Sequence, residues 1–190
     1  MKRLRQLGAV CACITPFIFC QSSQAATLVG DDVTIRTLVG TNPNINTYMV
    51  TVAAGSGDAL DLNSYGEHDI DATSIYADWD NPNFASIGFS TVRADIEYLD
   101  LDWTDAPGVL TGITLTTNIF GLDNSRISFG DDFIIVSLAG LNAFGGQSSS
   151  PFSFYQLDLQ VSQVPLPPAV MLFLAGLAGL AGVARRKTPA

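Results

Sequence analysis

The chain has one histidine, His68, which lies in the acidic run Glu67-His68-Asp69. An imidazole can serve as the general base of a Ser-His-Asp triad. However, no serine of this chain lies in the Gly-x-Ser-x-Gly elbow that activates such a nucleophile. A zinc site would need three carboxylates beside this imidazole, whereas structural zinc prefers nitrogen and sulfur ligands. We therefore expect His68 to be a solvated loop residue, and we expect no catalytic residue and no enzymatic activity.

Acidic side chains are the second group that could do chemistry. Asp78, Asp80 and Asn83 place oxygen atoms at short intervals in a predicted loop, and calcium takes six to eight oxygen ligands. The segment lacks the glycine and the distal glutamate of an EF-hand loop. These three residues are calcium candidates, and no other metal or cofactor is expected.

Carboxylates and aromatic rings together also raise the possibility of a carbohydrate-binding module or a glycosidase. Eighteen acidic residues in so small a chain produce close pairs by chance, which argues against the glycosidase. Asp95 and Glu97, like Asp100 and Asp102, are two residues apart, the spacing of a solvent-facing strand surface. Four aromatic residues could stack on sugars, but we expect them to be buried in the core: Tyr76, Trp79, Tyr98 and Trp103.

The charge distribution excludes one class of partner. Residues 26–163 carry all eighteen acidic side chains against three basic ones, Arg36, Arg93 and Arg126, for a formal charge of −15. Such a surface repels phosphate backbones, so no nucleic-acid partner is expected. All three cysteines, Cys11, Cys13 and Cys20, lie near the N-terminus. A chain cleaved after residue 25 would therefore have no disulfide.

The elements between residues 26 and 163 are predicted to be strands. Apolar and polar residues alternate over 33–39 and 48–52, the period of a half-buried strand. The other predicted strands cover 70–79, 84–89, 96–103, 109–119, 126–129, 133–138 and 155–161. Gly, Pro, Asn and Asp separate them, and 126–138 reads as a hairpin with a tight turn. Nine or so short strands without a helix predict an all-β domain, an antiparallel β-sandwich of jelly-roll type.

The N-terminal 25 residues are typical of a secretory signal peptide. Lys2, Arg3 and Arg5 form a positive n-region, an apolar run follows over 7–19, and small residues flank the predicted cleavage point at Ala25 or Ala26. The chain is therefore predicted to begin with a signal helix, to be cut by signal peptidase and to be exported across the inner membrane. An uncleaved N-terminal anchor is the alternative.

The C-terminal tail has three parts in a fixed order. Val164-Pro165-Leu166-Pro167-Pro168 comes first, followed by sixteen uncharged residues over 169–184 and then by Arg185-Arg186-Lys187. Sixteen helical residues span about 24 Å, slightly less than a bilayer core. The basic cluster would stay on the cytoplasmic side. The prolines would end the helix and hold the motif extended.

This tail resembles the PEP-CTERM sorting signal, in the variant that begins Val-Pro-Leu-Pro, with Leu166 in place of the glutamate that gives the signal its name. The resemblance covers residues 164–187. It implies processing near the proline motif by exosortase, an integral-membrane transpeptidase of Gram-negative bacteria linked to extracellular polysaccharide and biofilm matrix. It also implies a membrane-anchored precursor with a periplasmic domain that later reaches the cell surface or the extracellular matrix. A permanent C-terminal anchor without processing is the alternative.

Overall fold

The computed structural model describes residues 26–41, 44–55, 59–62, 65–80, 85–105, 107–146 and 151–164, together with residues 173, 176 and 177. Within these ranges the chain forms twelve β-strands, and a short 3₁₀ turn covers Asn124–Arg126. The strands are β1 (Asp32–Val39), β2 (Asn44–Thr51), β3 (Leu60–Asp61), β4 (Glu67–Ile70), β5 (Ser74–Asp78), β6 (Ser86–Gly88), β7 (Ala94–Leu99), β8 (Gly108–Thr117), β9 (Ile127–Phe129), β10 (Ile134–Ser137), β11 (Asn142–Phe144) and β12 (Phe154–Gln163).

The strands form two five-stranded sheets and one two-stranded sheet, and every pairing is antiparallel. The first sheet has the order β2-β1-β7-β10-β9, and we call it sheet A. The second has the order β3-β4-β5-β12-β8, and we call it sheet B. Strands β11 and β6 form the small sheet. The prediction of an all-β fold is confirmed, and the arrangement is consistent with a β-sandwich.

Alternating side chains explain which face of each strand is buried. In β12, Tyr155, Leu157 and Leu159 are buried, while the residues between them are less so. In β1, Val33 and Ile35 are fully buried in the same way. Each large apolar side chain removed from water stabilises the fold by about 1.5–3 kcal/mol. The period of two, visible in the sequence, therefore decides which residues form the core.

The core lies between sheets A and B. Tyr98 of β7 contacts His68 of β4 and Tyr155 of β12, so the inner faces of the two sheets meet there. Trp79, which is fully buried, packs edge-on against Phe89 with ring centroids 5.7 Å apart. Rings in such an edge-to-face pair add stabilisation beyond the apolar area that they bury.

Several predicted strands differ from those observed. The stretch 70–79 contains the end of β4, a turn at 71–73 and β5. In that turn, the Asp71 N–H donates to the Ser74 carbonyl at 2.8 Å. Apolar residues on both sides of the turn gave it the appearance of one strand. The hairpin over 126–138 is confirmed as β9 and β10, and the Gly130 N–H donates to the Phe133 carbonyl at 3.0 Å.

The predicted signal helix lies outside the described residues, and so does most of the predicted membrane span. Residue 173 and residues 176–177 of that span are helical. Across the described ranges, the structure has no helix with the length and apolar character needed to cross a membrane.

Candidate functional site

His68 is buried in a strand, so the prediction of a solvated loop histidine is wrong. The residue lies in β4, is 1% exposed, and pairs with Leu60 of β3 and Ala77 of β5. Glu67 and Asp69, its acidic neighbours, point to the opposite face because side chains alternate along a strand. One signal could have revealed this placement: His68 is two residues from Ile70, which faces the core.

His68 is part of a buried chain of hydrogen bonds. Its Nε2 is 2.9 Å from the carbonyl oxygen of Tyr65, and its Nδ1 is 2.6 Å from the hydroxyl of Tyr98. The Tyr98 hydroxyl is in turn 2.6 Å from that of Tyr155. A carbonyl can only accept, so Nε2 carries the proton in the neutral ring and Nδ1 accepts from Tyr98. Tyr155 then donates to Tyr98, and every ring nitrogen and hydroxyl has a partner.

This buried chain does not behave as an acid–base site near neutral pH. Burial lowers the pKa of His68 to about 4, although the Tyr65 carbonyl partly opposes the shift. Burial also raises the pKa of the Tyr98 hydroxyl and of the Tyr155 hydroxyl well above the usual value for tyrosine. All three groups are therefore neutral at pH 7. Because all three are also shielded from solvent, they cannot contact a substrate in the folded state.

The arrangement instead fixes the two main sheets relative to each other. Tyr98 comes from sheet A, while His68 and Tyr155 come from sheet B. A buried polar group without a partner costs about 1–3 kcal/mol, so a sliding of the sheets that separated these groups would be penalised. We call His68, Tyr98 and Tyr155 the inter-sheet polar chain. Its hydrogen bonds hold the two sheets in register.

The outer face of sheet A carries an ion-pair cluster. The Arg36 Nε donates to the Glu97 carboxylate at 2.9 Å, and the Arg36 Nη2 contacts the same oxygen. Arg93 binds Asp95 at 2.7 Å and lies 3.5 Å from Glu97. The solvent-facing role predicted for Glu97 is therefore wrong in part, because its side chain is only 6% exposed beneath the two guanidinium groups. Two of the three arginines between residues 26 and 163 take part in this cluster.

The calcium candidates are only partly within the described residues. Asp78 ends β5, and its carboxylate accepts a hydrogen bond from the Asp80 N–H at 3.1 Å. Trp79, between them, is fully buried, and Asn83 lies outside the described residues. In the part of the chain that the structure describes, no three His, Cys, Asp or Glu side chains converge as metal ligands would. Calcium binding at Asp78, Asp80 and Asn83 stays a prediction.

The aromatic residues considered for sugar stacking fall into two groups. Trp79 and Tyr98 are fully buried, as expected. Tyr76 is partly exposed on the outer face of sheet B, where it stacks on Phe154 with centroids 5.9 Å apart. Trp103 is also partly exposed. The Trp79 and Tyr98 rings are thus removed from the set of possible ligand contacts.

Trp103 borders an acidic groove of about 480 Å³. The Trp103 ring covers Gly108, whose Cα has so little space that an added Cβ would lie 3.2 Å from the indole. The indole nitrogen is buried and has no hydrogen-bond partner among the described atoms. The charged residues that line the groove are Asp102, Asp105, Asp131 and Asp132. We call this feature the Trp103 groove.

The sorting and cleavage residues lie at the two ends of the described domain. Val164 follows β12, is 46% exposed, and donates its N–H to the Pro107 carbonyl at 2.9 Å. Ala26 is 6% exposed and begins the described chain. Outside the described residues lie Ala25, the rest of the proline motif (Pro165, Leu166, Pro167 and Pro168) and the basic stop (Arg185, Arg186 and Lys187).

Comparison with known protein families, with curated proteins and with solved structures found no match. The residues and the geometry described above are therefore the basis for a functional proposal.

Proposed function

We propose that the chain is an exported cell-envelope protein without catalytic activity, which an exosortase-type transpeptidase sorts through the C-terminal tail. The observation that carries the proposal is the order of the tail: a proline motif, sixteen uncharged residues and a basic stop. The proline motif begins directly where β12 ends, and Val164 is half-exposed there. A processing enzyme would therefore meet its motif beside a folded domain, with no long linker.

Export is supported by the N-terminal pattern and by the charge of the domain. Ala26 and the fully buried Leu28 belong to the folded core, so signal peptidase would have to cut next to Ala26 before the domain folds. Cleavage during translocation meets that condition. The precursor would then be held by residues 169–184 as a transmembrane helix, with its domain in the periplasm. Release would place the domain at the cell surface or in the extracellular matrix.

A non-catalytic role is supported by the inter-sheet polar chain. The one imidazole is enclosed between two sheets, and its hydrogen-bonding groups are all occupied. The domain is proposed to be a jelly-roll-like sandwich. In support of this, strands distant in sequence are neighbours, such as β12 between β5 and β8. Association with exopolysaccharide in a biofilm matrix is part of the same proposal and follows from the resemblance of the tail.

The proposal is tested by removing the proline motif in the source cells. In a variant with Pro165, Pro167 and Pro168 all replaced by alanine, the domain should stay in the membrane fraction, because the extended recognition segment is lost. Pro151→Ala, at an exposed loop position outside the motif, is the matched control and should be released normally. Equal release of the triple variant and the control would contradict the proposal.

The Trp103 groove favours a second candidate function, the binding of a carbohydrate. The Trp103 ring is partly exposed beside the groove, and the carboxylates that line the groove could accept hydrogen bonds from sugar hydroxyls. Calorimetric titration with exopolysaccharide fragments tests this function. Heat that disappears in Trp103→Ala supports binding at the groove, and an absence of heat contradicts it. A separate titration with calcium tests the prediction for Asp78, Asp80 and Asn83.

A further inference from the structure

Strand β2 forms one edge of sheet A. It pairs with β1 along its whole length, from Asn44 to Thr51, and no strand among the described residues pairs with its other side. An open edge presents a row of N–H and C=O groups that can bind another strand. Natural proteins usually block such edges with charged residues, proline or a bulge. Strand β2 contains none of these.

The hydrogen bonds of β1 and β2 show which residues face the open side. The Val52 N–H donates to the Asp31 carbonyl at 2.8 Å, and Thr51 is opposite Asp32. In an antiparallel ladder, residues that bond to the partner alternate with residues that bond away from it. The backbone groups that point away from β1 are therefore those of Ile45, Thr47, Met49 and Thr51.

The side chains of the same four residues are all exposed. Ile45 is 52% exposed and Met49 is 71% exposed, whereas Tyr48 and Val50 pack against the core. The open edge is thus lined by two large apolar side chains that the single chain leaves in water. Burial of each would contribute favourably to an interface.

The charge distribution favours a second copy of this chain as the partner of this edge. The domain is strongly acidic, so two copies repel each other over most of their surfaces. No charged residue lies between Arg36 and Asp58, the stretch that includes all of β2. Two β2 strands can therefore approach without bringing like charges together, which most other parts of this surface do not allow.

We propose that the protein forms a two-fold symmetric dimer in which β2 pairs with β2 of a second copy. With the two-fold axis at Tyr48, each Thr47 lies opposite Met49 of the other copy, and each Ile45 lies opposite Thr51. This register joins the outward-facing backbone groups in hydrogen-bonded pairs and places each exposed apolar side chain against a threonine of the other copy, which covers part of its surface. The two copies of sheet A then form one continuous sheet.

The other long edge, β8, is less suited to this pairing. Its register against β12 shifts between Gln160 and Val161, and its Leu110 N–H already donates to the Asp131 carbonyl at 3.2 Å. An irregular, partly occupied edge resists the addition of a strand. The β8 edge therefore provides a matched control for substitutions in β2.

The register can be tested by reversing charges across the proposed axis. Thr47→Lys combined with Met49→Lys places lysine opposite lysine and should weaken dimerisation about tenfold or more. Thr47→Glu combined with Met49→Lys places opposite charges together and should restore the dimer. The control, Thr114→Lys with Thr116→Lys, changes two exposed positions of β8 and should leave the dimer intact. Sedimentation equilibrium of the full chain in detergent micelles gives each mass, and melting curves show that each variant is folded.

A dimeric wild-type protein and control, a dissociated double-lysine variant and a restored charge-reversed variant would support the proposal. A monomeric wild-type protein would overturn it. The proposal would also be overturned if the variant with two lysines in β2 remained dimeric, or if the control variant with two lysines in β8 became monomeric. Failure of exosortase sorting would leave these outcomes unchanged, because the interface lies wholly in the folded domain.

Discussion

Acidification is expected to destabilise this fold through His68. The ordinary pKa of histidine is about 6.5, and burial lowers that of His68 to about 4. Between these two pH values the unfolded chain binds a proton that the folded chain excludes. The free energy of unfolding is therefore at its full value above about pH 6.5 and decreases as the pH falls toward about 4.

The size of this loss of stability follows from the difference between these two pKa values. A tenfold change in a proton-binding constant corresponds to about 1.4 kcal/mol, so His68 alone should remove roughly 3 kcal/mol of stability across this window. A domain of this size is typically stable by about 5–15 kcal/mol, so the change would be a large fraction of the total. Protonation of Nδ1 also removes the acceptor of Tyr98, which disrupts the inter-sheet polar chain.

His68→Gln is the variant that isolates this effect. The amide keeps one donor and one acceptor but cannot titrate. Asp31 has the opposite effect on stability. Burial raises the pKa of its carboxyl, so the folded state binds this proton more tightly than the unfolded state and gains stability as the pH falls. Since both proteins contain Asp31, its contribution cancels when the two pH profiles are subtracted.

The assay is urea unfolding of the wild-type protein and His68→Gln at several pH values between about 4 and 7. The difference between the wild-type protein and His68→Gln in the free energy of unfolding should change by roughly 3 kcal/mol over that range. Because the chain has one histidine, NMR can also follow its imidazole without ambiguity. Parallel pH profiles for the two proteins, together with an imidazole that titrates near pH 6.5 in the folded state, would refute the reasoning.

Three further predictions concern stability, measured by chemical unfolding near neutral pH. Gly66→Ala should cost roughly 2 kcal/mol more than Gly30→Ala. Both glycines have a positive φ (89° and 87°), but only at Gly66 would the new Cβ lie 2.3 Å from a backbone oxygen. Equal costs would contradict the steric argument. Tyr98→Phe should cost about 2 kcal/mol and Tyr155→Phe about 1 kcal/mol, since the first removes a hydrogen-bond partner from both His68 and Tyr155, whereas the second removes one only from Tyr98. The reverse order would contradict the central position of Tyr98 in the inter-sheet polar chain. Glu97→Gln should cost about 1–2 kcal/mol, because Arg36 loses its carboxylate partner and Arg93 keeps only Asp95. An unchanged stability would show that the Glu97 charge contributes nothing to the fold.

The sequence predicted the all-β fold because strand periodicity is a local property. The alternation in β1 and β12, and the glycine and aspartates between β9 and β10, depend only on neighbouring residues. The same reasoning failed at the turn over 71–73, because apolar residues lie on both sides of this change of direction. Sheet order was not predictable, because the position of β12 between β5 and β8 depends on contacts distant in sequence.

The two polar clusters were missed for a related reason. His68 was assigned to solvent because of its acidic neighbours. Tyr98, which donates to its Nδ1, and Tyr155, which donates to Tyr98, are 30 and 87 residues away. Glu97 was assigned to a solvent face, but Arg36 of a neighbouring strand covers it. In both cases a partner brought by the sheet topology makes burial of a polar group possible.

The most direct test of the proposed function is the intact mass of the protein released from the surface of the source cells. Sorting by a transpeptidase predicts a mature chain that starts near Ala26 and ends within or close to residues 164–168, with the apolar span and the basic stop absent. Recovery of all the protein in the membrane fraction, with Arg185, Arg186 and Lys187 still attached, would contradict this account and would show that the tail is a permanent anchor.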